Sequence, residues 1–468
     1  MITMTGKKGI IIILVSWILL LTSVFSFQVI GGKTKTDIIT CGEITDDWTV
    51  MYYLCGDLSF FWREPLDTLD NISDIGSTEG LNILFMKDSI EVGDTELILI
   101  NKTGGKEILN EIYGWPDEVD TGDPNTLEAF CKLMMKEYPA QHYALILVAP
   151  GGHGWQLRSL NDGKGSRGPT MPAFANTLKN ITDNGKNKID VIFMESCVQG
   201  MLENAYEIAP YADYMVSSEE HIPDGILCSI RYHKPVWDLI NNTKMTPEEF
   251  ASRGPYRHKP VNFSFYEGPY ASDWASISRL TKFLNKLPNH ELHTVQMHTT
   301  CIATNLTRID NLVNELNNLS SFLLLHKDSE DVQEAIGKAR SGVREYGKGV
   351  SKIWFITRSI YRRFPLEKLA FDCWIDLHNL VDCIKENIDN VEIKNKCLSV
   401  MQKLNDSICS ITKVSGDKSY GLSIYFPSES HLYNKFALGP NLPSPYENLR
   451  FSKNTWWDEF LKDYLETK

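Results

Sequence analysis

The sequence predicts an α/β fold: a mainly parallel sheet flanked by helices, with a mixed α+β C-terminal extension packed on it. Three observations predict it. Short strand-like runs alternate with helix-period segments through the first half, as in βαβ units. Those strands read as near-continuous apolar stretches, the pattern of strands buried on both faces. After about Pro235 the texture changes to amphipathic helices and one late strand, with no flexible linker between the halves.

Trp48 to Cys55 (WTVMYYLC) is β-branched and aromatic and stops at Gly56-Asp57, which predicts a buried strand. Leu66, Leu69, Ile72 and Ile75 follow at helical spacing and end at Gly76. Leu81 to Met86 is a second strand. Glu96 to Asn101 and Lys106 to Ile112 flank Thr103-Gly104-Gly105 as a hairpin. Asp123-Pro124-Asn125 opens a helix from about Thr126 to Lys136. Tyr143 to Ala149 is a third strand, closed by Pro150-Gly151-Gly152, and Ile189 to Glu195 is a fourth. A helix from about Gly200 to Ile208 precedes a fifth strand, Asp213 to Ser217. In the second half, Leu306, Ile309, Leu312, Leu316 and Leu319 trace an amphipathic helix, and Asp372 to Ile384 is another helical stretch. Tyr420 to Pro427 is the late strand, and Trp456 to Leu465 a terminal amphipathic helix. The expected organisation is an N-terminal address over 1–28, a core over 45–235 and a completing part over 236–468.

The 468 residues carry 47 Lys and Arg against 60 Asp and Glu, a net charge of −13. That balance argues against nucleic-acid binding, which needs clustered Lys and Arg, and suits cationic substrates. Lys7 and Lys8 precede Ile10 to Phe27, an uncharged apolar run. Two readings stand for it: a signal peptide cleaved near Phe27, or an uncleaved signal-anchor, since the run is at the threshold length for a span. Either reading puts the rest of the chain outside the cytosol, secreted or membrane-tethered. The ten cysteines fit an oxidising compartment, and none forms a C-x-x-C pair. Sequons at Asn71, Asn101, Asn180, Asn241, Asn262, Asn305, Asn318 and Asn405 are candidate glycan sites.

In open α/β sheets the site lies beyond the carboxyl ends of the strands. Two strand ends carry reactive groups here: Pro150-Gly151-Gly152-His153-Gly154-Trp155, and Glu195-Ser196-Cys197 followed by Gly200. A Cys at the start of a helix sees a positive helix end, which favours thiolate. A His at a neighbouring strand end can act as base, or as acid to a leaving amine. Glycines beside both let backbone N–H groups approach an oxyanion. A lone Cys is more often a packed small hydrophobe, and a lone His a loop residue; the pair together points to a Cys–His hydrolase.

The chain resembles the clostripain family of cysteine peptidases, which shares a caspase-like sheet with legumains, gingipains and caspases. The resemblance rests on Trp48 to Tyr53, Gly122 to Leu127, Tyr138-Pro139-Ala140 leading into Tyr143-Ala144-Leu145, and the region around Cys197. There it includes Gly200, Glu203, Ala205-Tyr206, Pro210 to Tyr214, Ser218-Glu219-Glu220 and Pro223-Asp224-Gly225. It returns at Gly421 to Pro427 and at Trp456-Trp457. It implies a caspase-like core with Cys197 as nucleophile. It also implies a pocket for Arg or Lys lined by Glu195, where the family usually has Asp, and by Asp224. Two carboxylates at the base of a cleft would pair a basic side chain. The bland alternatives are a helix-capping acid for Glu195 and a turn residue for Asp224.

The family's His position is displaced. Counting forward from the strand lands on Pro150, and counting back from Trp155 lands on Gly151. Either the loop has slipped and His153 swings into place, or the base has been lost; His221 is a weaker stand-in. Members are often cut between His and Cys after a basic residue, which here points to Arg158, Lys164 and Arg167, in a loop of the kind that is readily nicked. No EF-hand-like spacing exists, so no metal or other cofactor is expected.

The expected function is a monomeric cysteine endopeptidase cleaving peptides or proteins after Arg or Lys. Cys197 attacks, His153 protonates the departing amine, and backbone N–H groups of Cys197 and Gly154 hold the oxyanion. One competing reading is a catalytically impaired relative that binds peptides or a partner. Another is a structural surface protein with Cys197 in a disulfide.

Overall fold

The computed structural model describes residues 46–55, 63–89, 91–148, 168–220, 233–257, 262–266, 294–298, 300–346, 373–430, 433 and 445–466. The chain divides into two units, Met1–Glu43 and Ile44–Lys468, and every described residue belongs to the second.

The strands are β1 (Asp46–Cys55), β2 (Leu81–Asp88), β3 (Glu96–Ile100), β4 (Lys106–Ile108), β5 (Ala140–Val148), β6 (Ile189–Glu195), β7 (Ala212–Ser217), β8 (Asn262–Tyr266), β9 (Thr294–His298), β10 (Cys301–Asn305), β11 (Glu345–Tyr346), β12 (Trp374–Asp376), β13 (Ile408–Thr412) and β14 (Ser423–Tyr425). Nine of them form one sheet in the order β13-β10-β7-β6-β5-β1-β2-β3-β4. The pairs from β2 through β1, β5 and β6 to β7 are parallel. Each edge then adds two antiparallel strands. A mainly parallel sheet flanked by helices is therefore the observed fold, as the alternating pattern predicts.

The apolar runs explain the centre. Every residue of β1 from Trp48 to Cys55 is buried, as expected for a strand covered on both faces. Tyr52 stacks on Phe85 of β2 with ring centroids 4.3 Å apart. Helices 124–137, 171–181 and 202–208 pack on one another in turn, and helices 63–75, 233–241 and 247–257 form a second row. Asp123 caps the first of these helices by accepting the Asn125 N–H, with Pro124 at the first turn.

Several elements differ from the sequence reading. The hairpin strand stops at Ile108, and Asn110–Tyr113 is a short helix, because the Asn110 side chain bonds the backbone at Leu97 and Thr95. The stretch read as one helix over 372–384 is a strand, β12, followed by helix Leu377–Glu386, which Asp376 caps through the Asn379 N–H. The late strand is only three residues long. Strands β10 and β13 join the main sheet, although the sequence reading assigns no strand to either segment.

A second sheet, β11-β12-β14, lies in the C-terminal half. Its strand β14 meets the segment following β6 through a parallel bridge between Ser423 and Met201. Helix 309–325 packs against helices 391–407 and 457–466 and against helix 202–208. Among the described residues, no helix is long and apolar enough to cross a membrane; the run Ile10 to Phe27 lies outside them.

Candidate active site

Three segments leave the sheet at one edge. Val148 of β5 is the register partner of Glu195 of β6, and Val216 of β7 is the partner of Phe193. The chain following each of these parallel strands therefore departs from the carboxyl edge, where such sheets place their sites. Cys197 sits there, two residues past β6 and nearly buried.

The Cys197 turn is not a helix start. The helix begins at Leu202 and ends at Ile208. A helix-end charge fades beyond the first turn, so the thiolate argument from the helix dipole loses its footing here. What holds the turn is main chain. Val198 has φ 54°, in the left-handed region. A β-branched residue there costs about 1–3 kcal/mol and persists only where its surroundings over-determine it. The Val198 N–H donates to the Glu220 carbonyl at 3.2 Å, and the Gly200 N–H to the Ser218 carbonyl at 2.7 Å. The Gln199 side chain donates to the Cys197 carbonyl at 3.2 Å. On the far side, the Gly200 carbonyl accepts the Ser423 N–H at 2.8 Å. The turn is thus gripped between the end of β7 and the start of β14.

Glu195 is buried at the end of β6. Burial, and then the charge of Glu195, push the Tyr52 hydroxyl and the Cys301 thiol well above their ordinary values. Its carboxylate is within electrostatic reach of Tyr52 on β1 and Cys301 on β10. His142 bonds Asp190 through Nδ1 at 2.8 Å, at the start of β5. That is six residues before Val148, about 20 Å along the strand, so His142 is not a substitute for His153. His153, Gly154, His221 and Asp224 lie outside the described residues, as do Arg158, Lys164 and Arg167. Among the described residues, no cluster of His, Cys, Asp and Glu could hold a metal.

The helix after the turn carries two buried acids one turn apart. Glu203 is fully buried, and its Oε1 accepts the Tyr425 N–H at 2.9 Å and the Tyr446 hydroxyl at 3.0 Å. The N–H groups of Ser423 and Tyr425 point the same way along β14. The first meets the Gly200 carbonyl. The chain has turned into helix by Leu202, so the Glu203 carboxyl replaces the carbonyl that a continuing strand would have offered the second. Glu207 accepts the Arg450 N–H, and the Arg450 guanidinium lies 3.8 Å from the Tyr206 ring centroid.

Burial outweighs those donors and raises the Glu203 carboxyl from 4.5 to about 7. The neutral form is thus favoured by folding. Its contribution is full below pH 4.5 and is lost as pH rises through 7, about 3 kcal/mol in all. Glu203→Gln is expected to keep both acceptor contacts and flatten this part of the stability–pH curve. Urea midpoints of both proteins from pH 4.5 to 8 check this; equal slopes would sink the assignment.

Beside the turn lies a buried acidic group: Glu219 and Glu220 at the end of β7, Asp376 of β12, and Asp417. Burial, and then Asp376, push the Glu219 carboxyl well up; burial likewise raises Asp376 to about 6. Arg344 is the cation among them. It pairs with Asp417, reaches Glu220 Oε2 at 3.5 Å, and lies 5.0 Å from the Tyr346 ring centroid.

The family model for clostripains matches residues 53–464. The chain belongs to the clostripain family. Among solved structures, it is similar to an inactive zymogen C11 protease from Parabacteroides distasonis. Identity is 17%, with 88% of this chain and 98% of that chain covered and a TM-score of 0.53. It is also similar to iotapain, a secreted C11 cysteine protease from Bacteroides thetaiotaomicron, at 14% identity, 88% and 99% coverage and a TM-score of 0.53. A secreted C11 cysteine protease from the same organism, in complex with an irreversible peptide inhibitor, gives 15% identity, 84% and 97% coverage and a TM-score of 0.52. At these identities the likeness is one of fold. Comparison with curated proteins finds no match.

Sequence reasoning on this clostripain-family chain singled out Cys197 and Glu195 and missed what surrounds them. Glu203, Glu219 and Ser423 entered only as matches in a resemblance, without a role. Two acids four apart in a short, wholly buried helix, Glu203 and Glu207, are the available signal for buried polar contacts. Nothing in the local sequence marks Gln199, Arg344 or Asp376.

Proposed function

We propose that this clostripain-family protein is a cysteine endopeptidase cleaving after Arg or Lys. Cys197 thiolate adds to the scissile carbonyl. The tetrahedral species collapses by breaking the C–N bond, and His153 gives its proton to the departing amine. Water then attacks the thioester, His153 takes the water's proton, and the acid product leaves as the thiolate re-forms. Backbone N–H groups of Cys197 and Gly154 hold the oxyanion, and Glu195 and Asp224 hold the basic side chain.

The observation that supports this reading is the strained, main-chain-held turn that sets Cys197 at the carboxyl edge of the sheet, level with the end of β5 at Val148. The catalytic part lies outside the cytosol in this reading, on the strength of the N-terminal apolar run. Asn180, Asn241, Asn318 and Asn405 are the exposed sequon residues described, whereas Asn305 is buried and bonds the Thr307 N–H.

The test is hydrolysis of fluorogenic peptides ending in Arg, Lys, Asn or Asp, by the mature chain and by His153→Ala. Turnover is expected after Arg and Lys alone, with a loss of at least about 100-fold in His153→Ala. Turnover that survives that change would remove His153 from the mechanism. No turnover from folded protein, before or after nicking near Lys164, would favour a peptide-binding relative, the reading suggested by the displaced His and by Glu at position 195.

A further inference from the structure

The Val198 N–H, at the strained residue beside Cys197, is held by the carbonyl of Glu220 at 3.2 Å. That carbonyl also accepts the Ser218 hydroxyl at 3.0 Å, and the Glu219 N–H donates to Thr300 Oγ1 at 3.0 Å. The backbone of 218–220 is thus the anvil on which the Cys197 turn is shaped. Its own position has to be set by something outside it.

Two consecutive buried acids end this segment, and no described residue adjoining them in sequence is basic. The compensating charge comes from more than a hundred residues away. Arg344, at the foot of β11, is the guanidinium that reaches Glu220 Oε2. Its other amino group pairs with Asp417, whose carboxylate is tied in turn to the Ser419 N–H and hydroxyl at 2.8 and 2.6 Å. Its guanidinium carbon lies over the Tyr346 ring, and the Tyr346 hydroxyl donates to Asp376 at 3.2 Å. Arg344 is therefore fixed from two directions, by Asp417 and by the Tyr346 ring, before it meets Glu220. A planar guanidinium can satisfy two carboxylates and a ring at once, whereas an ammonium is a point charge. Removing it takes from Glu220 and Asp417 the Arg344 ion pairs, close to the buried acids Glu219 and Asp376.

We propose that Arg344 is a positioning residue for the Cys197 turn: by gripping Glu220 it holds the carbonyl that keeps Val198 in its left-handed conformation. This rests on the reading of Cys197 as the nucleophile. Arg344 touches no substrate. Its effect should appear in how well Cys197 is aimed, and much less in how tightly a basic peptide binds.

The experiment compares wild type, Arg344→Met, Arg344→Lys and Glu220→Gln on an Arg-ended fluorogenic peptide. Rates are expressed per active site titrated with an Arg acyloxymethyl ketone. The expected result for Arg344→Met is a kcat per titrated site at least tenfold lower with KM within about twofold. Arg344→Lys should recover part of the loss, and Glu220→Gln should show a smaller fall of the same kind. A merely structural Arg344 would lower the number of titratable sites and leave kcat per site unchanged, and that result overturns the proposal. A rise confined to KM overturns it too, because it would assign Arg344 to the pocket. If Arg344→Met does not fold, the Lys and Gln variants decide by the same criterion. Wild type that neither turns over nor takes the label would sink the reading of Cys197, and this inference with it. Wild type that does both, with variants equal to it, sinks this inference alone.

Discussion

Cys197→Ala is expected to abolish peptide hydrolysis while the protein stays folded. Removing a catalytic nucleophile costs on the order of 10⁶ in kcat in a hydrolase whose other groups act only through it. The fold should tolerate the change. The turn is held by main-chain bonds from Val198 and Gly200 and by the Gln199 side chain on the Cys197 carbonyl, none of which uses the sulfur. A stability loss of about 1 kcal/mol is the ordinary cost of trimming one buried atom. Other thiols are poorly placed to take over, since burial raises those of Cys131 and Cys301 and pushes Cys397 up to about 12. Peptide turnover, urea unfolding and mass mapping of the electrophile-labelled residue check this together. Residual hydrolysis above one part in about a hundred, in folded Cys197→Ala, would place the nucleophile elsewhere.

Gly200→Ala is expected to destabilise the protein by upwards of about 3 kcal/mol and to remove activity with it. A Cβ at this position would lie 2.9 Å from the Glu219 nitrogen, 2.9 Å from the Ser218 carbonyl carbon and 3.0 Å from the Ser218 oxygen. All three are backbone atoms, so no side-chain rotation relieves the clash. The segment they belong to cannot withdraw without breaking the 2.7 Å bond from Gly200 itself and the bonds to Thr300. Withdrawal of Gly200 instead would break its contact with Ser423. A useful control is Gly337→Ala, in helix Glu330–Gly342, where an added Cβ meets nothing within 4 Å. That change should stabilise by about 0.5–1 kcal/mol through helix propensity alone. The measurement is the shift in urea midpoint at constant m-value. A Gly200→Ala midpoint within error of wild type would mean that 197–200 and 218–220 are not packed as described.

The central parallel strands were legible because burial on both faces forces continuous apolar runs, and Trp48 to Cys55 and Ile189 to Glu195 need no partner to be read that way. The short strands β12 and β14 were misjudged for the converse reason: three residues carry no period. Strands β10 and β13 are five residues each beside long amphipathic helices, and the sequence reading assigns no element to either. The sequence reading starts the helix at about Gly200, whereas the structure starts it at Leu202. Its delay to Leu202 comes from Ser423, far along the chain, which takes the Gly200 carbonyl.

By itself the sequence determined the α/β class, the clostripain resemblance and Cys197 as the residue to watch. Each of these rests on patterns that lie within a few neighbouring residues, or on ordered matches along the chain. Only the tertiary structure decided that the Cys197 turn is strained at Val198, that Glu203 ends a ladder begun by Gly200, and that Arg344 balances the acids beside it. Those facts depend on contacts between segments as much as 223 residues apart, such as Gly200 with Ser423. A buried charge or a strained dihedral is tolerated only where distant groups converge on it, and local sequence does not encode that convergence.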